Sequence, residues 1–431
     1  MRYSFGGRTL LITAMAAGAI GSATTSAGAQ IRGEIVGPGA TRMPIAVPDL
    51  RLLGGSERPT EARDFIRVLR GDLELSGLFR VIDPAAYLVD PANVGLSRDE
   101  VRFEDWSAIG ALGLLSGGYQ ATPGGMTIEA RFFDIADRSS SGGRRLSGDL
   151  RSVARLAHRM ADAVLEFVTG IPGPFDSRIA FVSSQGARFR EIYSYSFEGK
   201  VRQLTRHGSI TMAPSWHPST ESLLFTSFRG GRPVLYSVDY ETGADSRIAS
   251  KMGVNVGGVW SPDGKRLLVA REEAGNTDIF ALDPARGQAL RLTDHWGIDV
   301  DPAWSPEGSR IAFCSSRSGA PQIYTMAAEG SDIRRLTLQG NYNCSPAWSP
   351  DGRLIAYAGR DGGGFQVFVV PATGGRARQI TAAGSSEDPS WSPDSRYVTF
   401  SSKRGPTKKI YMVDVQNGAE SQLTDGPGDE S

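Results

Sequence analysis

The second half of the chain alternates short apolar clusters with polar turns on a fixed beat. Apolar triplets stand at Ile179-Ala180-Phe181, Leu223-Leu224-Phe225, Leu267-Leu268-Val269, Ile311-Ala312-Phe313 and Ile355-Ala356-Tyr357, with Val398-Thr399-Phe400 as a last, interrupted copy. Tryptophan recurs in phase with them at Trp216, Trp260, Trp304, Trp348 and Trp391, which makes the period 44 residues with one step of 43. Four of the five are followed by Ser-Pro and one by His217-Pro218. A third landmark, an aliphatic residue usually followed by threonine, falls at Leu204, Ile248, Leu292, Leu336, Ile380 and Leu423. Three landmarks in phase over six units define a repeat architecture.

Each unit holds four candidate strands. In the unit near Asp301, a short strand ends at Trp304 and turns through Pro306-Glu307-Gly308; strands follow over 310–315, 322–327 and 333–337. Proline presets φ at one turn position, aspartate bonds locally to backbone, and glycine accepts positive φ. Four short strands joined by such turns make an antiparallel blade, and six blades in a ring make a β-propeller. The tryptophans then read as packing between blades. The first unit, beginning at Arg178, has no Trp-Ser-Pro strand ahead of it; position 172 is proline. Ser431 stands in phase with Asp388, just before a closing Pro-x-Trp strand would begin. The expectation is a propeller over 178–431 whose closing strand is missing or abbreviated, leaving the first blade frayed at the channel.

The first half changes period. Phe65, Ile66, Leu69 and Leu73 repeat helically within 59–75, as do Val153, Leu156, Ala157, Met160, Val164 and Phe167 within 150–168. Strands are expected over 43–47, 79–82 and 126–135, a strand that passes into a turn over 114–119 through Gly117-Gly118, a hairpin partner over 144–149 with 139–143 as the connection, and a short helix over 106–112. This is an α/β domain over 43–169, with Gly170-Ile171-Pro172-Gly173-Pro174 opening a linker that runs to residue 177. The fold class is therefore two-domain, an N-terminal α/β domain followed by a six-bladed β-propeller. Ahead of both, Arg2 and Arg8, an apolar run from Thr9 to Ile20 and the small residues Ala27-Gly28-Ala29 describe a signal peptide over 1–29 that is cleaved before Gln30. That run is shorter than the roughly 18–20 residues that span a bilayer, and the expected compartment is a bacterial periplasm.

Composition sharpens the picture in two places. Glycine, 53 of 431 residues, is about 12% against a usual value near 7%, and the blades' turns account for it. Lys+Arg and Asp+Glu are 47 each, so there is no basic excess for binding nucleic acid.

Candidate chemistry is sparse. There is no Gly-x-Ser-x-Gly elbow and no Walker A loop. The four histidines, His158, His207, His217 and His295, lack a His-Glu-x-x-His spacing. His158 reads as a surface or domain-interface residue. His207 and His295 each stand three residues after a repeat leucine, beside the channel mouth, with no carboxylates in phase to complete a metal site. Asp299 and Asp301 fall at turn and edge positions and read as structural. No cofactor, metal or catalytic set is expected. Cys314 and Cys344 lie in adjacent units and are either a disulfide or two buried thiols.

The chain resembles the TolB family, the periplasmic component of the Tol–Pal cell-envelope system of Gram-negative bacteria. The resemblance rests on Leu78-Phe79-Arg80-Val81-Ile82-Asp83, on Ala157-His158-Arg159-Met160-Ala161-Asp162, and on the junction from Thr169-Gly170-Ile171-Pro172-Gly173-Pro174 to Phe181. Related Trp-Ser-Pro-Asp-Gly propellers occur in serine peptidases, which add a hydrolase domain; an exported propeller hydrolase or a small-solute-binding propeller is the alternative reading. The resemblance implies a monomeric, non-enzymatic interaction protein that supports outer-membrane integrity and constriction during division. It implies that the lipoprotein Pal binds the propeller, and that the periplasmic domain of TolA binds the mature N-terminus, Gln30, Ile31, Arg32, Gly33, Glu34, Ile35 and Val36, within a segment over 30–42. Ile31, Ile35 and Val36 among polar residues suit a strand added to a partner's sheet edge. In a propeller the loops from each outer strand to the next inner strand rim one mouth of the channel. Here they carry His207, Asn255, His295, Trp296, Asn341, Tyr342 and Glu387, the expected Pal-facing set, with Trp296 and Tyr342 as anchors.

Overall fold

The computed structural model describes residues 42–90, 93–248, 255–360 and 363–431. The leader over 1–29 and the partner-binding residues 30–36 lie outside the described residues.

The N-terminal domain is a mixed sheet clasped by helices. Its elements are β1 (Met43–Ala46), β2 (Arg51–Gly55), α1 (Pro59–Leu75), β3 (Phe79–Val81), α2 (Phe103–Ala108), β4 (Gly113–Ala121), β5 (Gly125–Asp134), β6 (Ser139–Asp149) and α3 (Val153–Thr169). The sheet order is β3-β1-β4-β5-β6, with β2 also on β4. Pairing is parallel on the β1 side and antiparallel from β4 to β6. The helical stripes do what their period demands. Phe65, Leu69 and Leu73 of α1 and Leu156, Met160 and Val164 of α3 bury against Ile45, Leu115, Ile128 and Phe132 on one face of the sheet. Trp106 and Phe103 of α2 cover the other face with Leu114 and Phe133.

Three local expectations are corrected. The short helix begins at Phe103, not Trp106, because this places both aromatic side chains on the sheet, and Gly110 at φ 75° ends it. The strand over 114–119 continues to Ala121 instead of turning at Gly117-Gly118. There, Cβ atoms would come 2.8 Å from Leu50 Cδ2 and 2.7 Å from Leu53 Cγ, so glycine lets the chain of β2 lie against β4. Residues 139–143 are strand, and the turn falls earlier, where Arg138 takes φ 48°; a bulge at Phe132/Phe133 resets the register. Strand β2 had no pattern of its own, since it is half exposed.

Five propeller sheets have four strands each, in sequence order from the channel outward. The inner strands are Thr211–Trp216, Asn255–Trp260, Asp299–Trp304, Tyr342–Trp348 and Ser385–Trp391, which we assign to blades two to six. Blade one has three strands, Arg178–Ser183, Glu191–Ser196 and Lys200–Gln203. At its inner position the chain returns as Glu430-Ser431: Val182 and Ser431 exchange both backbone hydrogen bonds, at 2.6 and 2.9 Å, and Glu430 bridges to Ser183.

The landmarks have distinct physical duties. In Ser261-Pro262-Asp263-Gly264 the serine hydroxyl donates to Asp263 at 2.5 Å and accepts the Arg266 amide at 2.9 Å, closing the turn; Ser349 does the same with Asp351 and the Leu354 amide. Each tryptophan packs on a core cluster, and Trp391 Nε1 donates to Ala347 O of the preceding blade at 3.0 Å. The repeat threonines accept an amide near the start of the third strand: Thr205 from Ile192, Thr293 from Ile279, Thr337 from Ile323, Thr381 from Val367 and Thr424 from Ile410, all at 2.9 to 3.0 Å. Each hydroxyl then donates to a side chain, Glu191, Asp278, Gln322 or Gln366. Blade six has Lys409 where the others carry that acceptor, and Glu430 from the chain end receives the Thr424 hydroxyl instead. Cys314 and Cys344 form a disulfide with Cα atoms 5.0 Å apart, tying blade four to blade five.

The junction between domains is packed. Gly170 at φ 79° ends α3. Asp162 then turns back on the chain: its carboxylate accepts the Phe175 amide at 2.8 Å and the Asp176 amide at 3.0 Å, while its carbonyl accepts from Gly173. Phe175 is buried in the N-terminal core and meets Phe197 of blade one edge-on at 5.3 Å. Arg155 pairs with Asp176 at 2.7 Å. Across the interface, buried Tyr397 of blade six donates to Ser76 O at the end of α1, at 2.6 Å.

Candidate functional site, the channel mouth

The loops between blades and the turns between second and third strands share one end of the propeller. Cross-loop hydrogen bonds, such as Phe228 N–H to Ile210 O and Ser316 N–H to Ile298 O, knit them into one surface. Each inner strand carries a register shift there: between Met212 and Ser215, Val256 and Val259, Val300 and Ala303, Cys344 and Ala347, and Glu387 and Ser390. The bulged residues Ala213, Gly257, Asp301, Ser345 and Asp388 all take positive φ, between 51° and 67°. A bulge turns its residue out of the ladder and into the channel.

The expected docking residues divide sharply. Trp296 is 73% exposed, with the His295 ring tilted against it at 5.2 Å. Asn341 is exposed. His295 is half-buried, and its Nδ1 accepts the Gly297 amide at 3.0 Å. Tyr342 is half-buried, edge-on to Phe365 at 5.3 Å, and burial, with Asp301 and Glu387 nearby, raises its phenol. Glu387 is spent on an ion pair with Lys408. Asn255 opens the inner strand of blade three opposite Arg271. His207 is not a surface group: its side chain is 3% exposed, bonded to Ser227 Oγ at 2.7 Å and Asp245 Oδ2 at 3.0 Å, and lodged between Phe225 and Tyr236. It stitches blade two together.

His158 also moves inward. It is 3% exposed in the N-terminal core, with Nδ1 2.7 Å from Asp72 Oδ2. The α1 and α3 stripes surround it, and the hydrogen bond to Asp72 gives its ring a polar partner there; burial raises the Asp72 carboxyl while the His158 contact pulls the other way.

Apolar residues complete the mouth. Ile298 is 55% exposed, Leu338 76% and Ile210 52%. Their signal was present as aliphatics in loops that need none for folding. Inside the channel, Asp301 accepts from Ser345 Oγ at 3.1 Å; desolvation, with Asp388 adding to it, raises the Asp301 carboxyl. Asp299 is buried against Arg317 at 2.8 Å. No group of three potential metal ligands occurs among the described residues. The mouth therefore presents aromatic and aliphatic side chains around a polar channel, an arrangement that suits protein docking.

Comparison with known proteins agrees with this architecture. A family model described as the TolB beta propeller domain matches residues 165–431, and one described as the TolB amino-terminal domain matches residues 31–141. A Tol-Pal system protein TolB of Syntrophotalea carbinolica is 39% identical over 196 residues, covering 45% of each chain. That of Desulfosudis oleivorans is 35% identical over 225 residues, covering 52% of this chain and 51% of its own. These alignments span about half the length of the curated relatives. The crystal structure of TolB from Acinetobacter baumannii superposes with a TM-score of 0.80 at 24% identity, covering 92% of this chain and 96% of that one, a likeness of fold.

Proposed function

The chain belongs to the TolB family, and we propose that it acts as a periplasmic adaptor of the Tol–Pal system, holding Pal at the propeller mouth and TolA through residues 30–36. It is an interaction protein and not an enzyme. The observation that carries the Pal assignment is the exposed apolar group Trp296, Ile298 and Leu338 at the channel mouth. Aromatic anchors bury large areas at small cost in side-chain entropy. Docking there contributes to outer-membrane integrity and to constriction during division, because it couples an outer-membrane lipoprotein to an inner-membrane partner.

The test is a pull-down from periplasmic extract with the full chain, with Trp296→Ala/Ile298→Ala and with residues 30–36 deleted. The double substitution is expected to lose Pal and keep TolA, and the deletion to lose TolA and keep Pal. Retention of Pal by the double variant at unchanged affinity would move its site elsewhere.

A further inference from the structure

The six blades are close copies, so the shape of the ring alone does not fix the angle at which a partner sits. Charge at the mouth does break the symmetry, although the whole chain has a formal net charge of zero. Arg188 and Arg190 stand on the second turn of blade one, Arg206 on the loop to blade two, Arg232 on the second turn of blade two, and Arg360 and Lys403 at the same level on blades five and six. All six are exposed, and none has an ion pair among the described residues. The cations beside them are already matched: Arg229 with Asp245, Arg404 with Glu420 and Lys408 with Glu387. The exposed carboxylates on this arc are fewer: Asp245 is matched as above, Asp388 accepts from Ser401 Oγ at the blade-six bulge, Asp429 is engaged by the Lys408 amide, and Asp425 stands beside it.

Blades three and four differ. Their part of the mouth carries exposed Glu272, the pairs Arg271–Glu273 and Arg291–Asp294, and the apolar group Trp296, Ile298 and Leu338. Cations without an ion pair among the described residues thus lie along the contiguous arc of blades five, six, one and two, where Phe189 and Ile210 are also exposed, while the group Trp296, Ile298 and Leu338 stands on the other side of the mouth. Exposed charges of one sign steer encounter and set register more than they add affinity.

We infer that the mouth takes a protein partner whose acidic side lies over blades five, six, one and two while its apolar contact lies on Trp296, Ile298 and Leu338. This deepens the Pal reading and rests on it for the partner's identity. The test compares the full chain with Arg188→Glu/Arg206→Glu/Arg232→Glu and, as an equal-charge control on the opposite face, Lys200→Glu/Lys265→Glu/Arg353→Glu. Binding of Pal from the same bacterium is titrated at 50 and 300 mM NaCl, and thermal melting verifies that each variant is folded. The mouth variant is expected to bind about tenfold more weakly at the lower salt, with the difference shrinking at the higher, while the control binds as the wild type does. An octaglutamate peptide serves as a second probe and should bind the wild type and the control but not the mouth variant. Wild-type binding to Pal with no effect of the mouth substitutions overturns the inference and leaves the docking reading intact. Failure to bind Pal with selective peptide binding overturns the identity of the partner only, and binding to neither overturns both.

Discussion

At the scale of single residues, Asp162 carries most of the junction. One carboxylate holds two successive amides of the interdomain segment, at positions where no helix or strand would satisfy them. Burial pushes its carboxyl from 3.8 up to about 6; the two amide bonds pull the other way, and Asp72 and Asp176 add to the rise. A raised carboxyl binds its proton more tightly in the folded chain than in the unfolded one. The resulting stability is full below about pH 4 and is lost as pH rises through about 6. The contribution is on the order of 1–3 kcal/mol. Urea melts between pH 4 and 7.5 should show this fall, and Asp162→Asn should flatten it; an unchanged slope in the variant would assign the effect to another group. The sequence shows the Asp but not its bonds, because Gly173, Phe175 and Asp176 reach it only after the chain reverses past Gly170.

Among the elements, repeats were legible and exceptions were not. The Trp-Ser-Pro-Asp-Gly turns and the Leu-Thr strand ends follow from local hydrogen bonds, so they can be read one unit at a time. The strand over 139–143 cannot be, since its serines and glycines become strand only by pairing with β5. The chain end is another exception. Glu430 is fully buried and takes over in blade six a duty that other blades give to a third-strand residue. Glu430→Ala leaves the Thr424 hydroxyl without its acceptor and should cost about 1–3 kcal/mol, seen as a lower Tm; an unchanged Tm would show that the Thr424–Glu430 bond does not stabilise blade six. The disulfide closes a sequence separation of 30 residues. Replacing both cysteines with serine should cost about 2–4 kcal/mol, and a reducing agent should lower the Tm of the wild type but not of that variant.

For the whole molecule, the two domains meet at more than their covalent joint. The Phe175–Phe197 contact sits at the linker, and the Tyr397 hydroxyl reaches Ser76 from the last full blade. These contacts join the N-terminal domain to both sides of the ring's closure, between blades one and six. Tyr397→Phe removes the hydrogen bond to Ser76 O and leaves a buried carbonyl less satisfied, at about 1–2 kcal/mol. Calorimetry should show the two domains melting together in the wild type and less cooperatively in the variant. A single transition of unchanged midpoint would place the coupling in the apolar contacts instead.

The sequence by itself determined the repeat, the number of blades, the helical stripes of the first domain and the family resemblance. All of these follow from periodicity or from turn chemistry confined to a few neighbouring residues. Tertiary structure decided which loop residues are free. His207 and Trp296 occupy comparable loops and differ in what surrounds them: Ser227, Asp245 and two rings consume the first, while the second meets the His295 ring and stays largely exposed. It also decided the cystine pairing, the grip of Asp162 on the junction and the charge asymmetry of the mouth. None is encoded by a local pattern: the grip of Asp162 needs the chain reversal past Gly170, the cystine needs two adjacent blades packed together, and the charge asymmetry needs all the loops arranged around one ring.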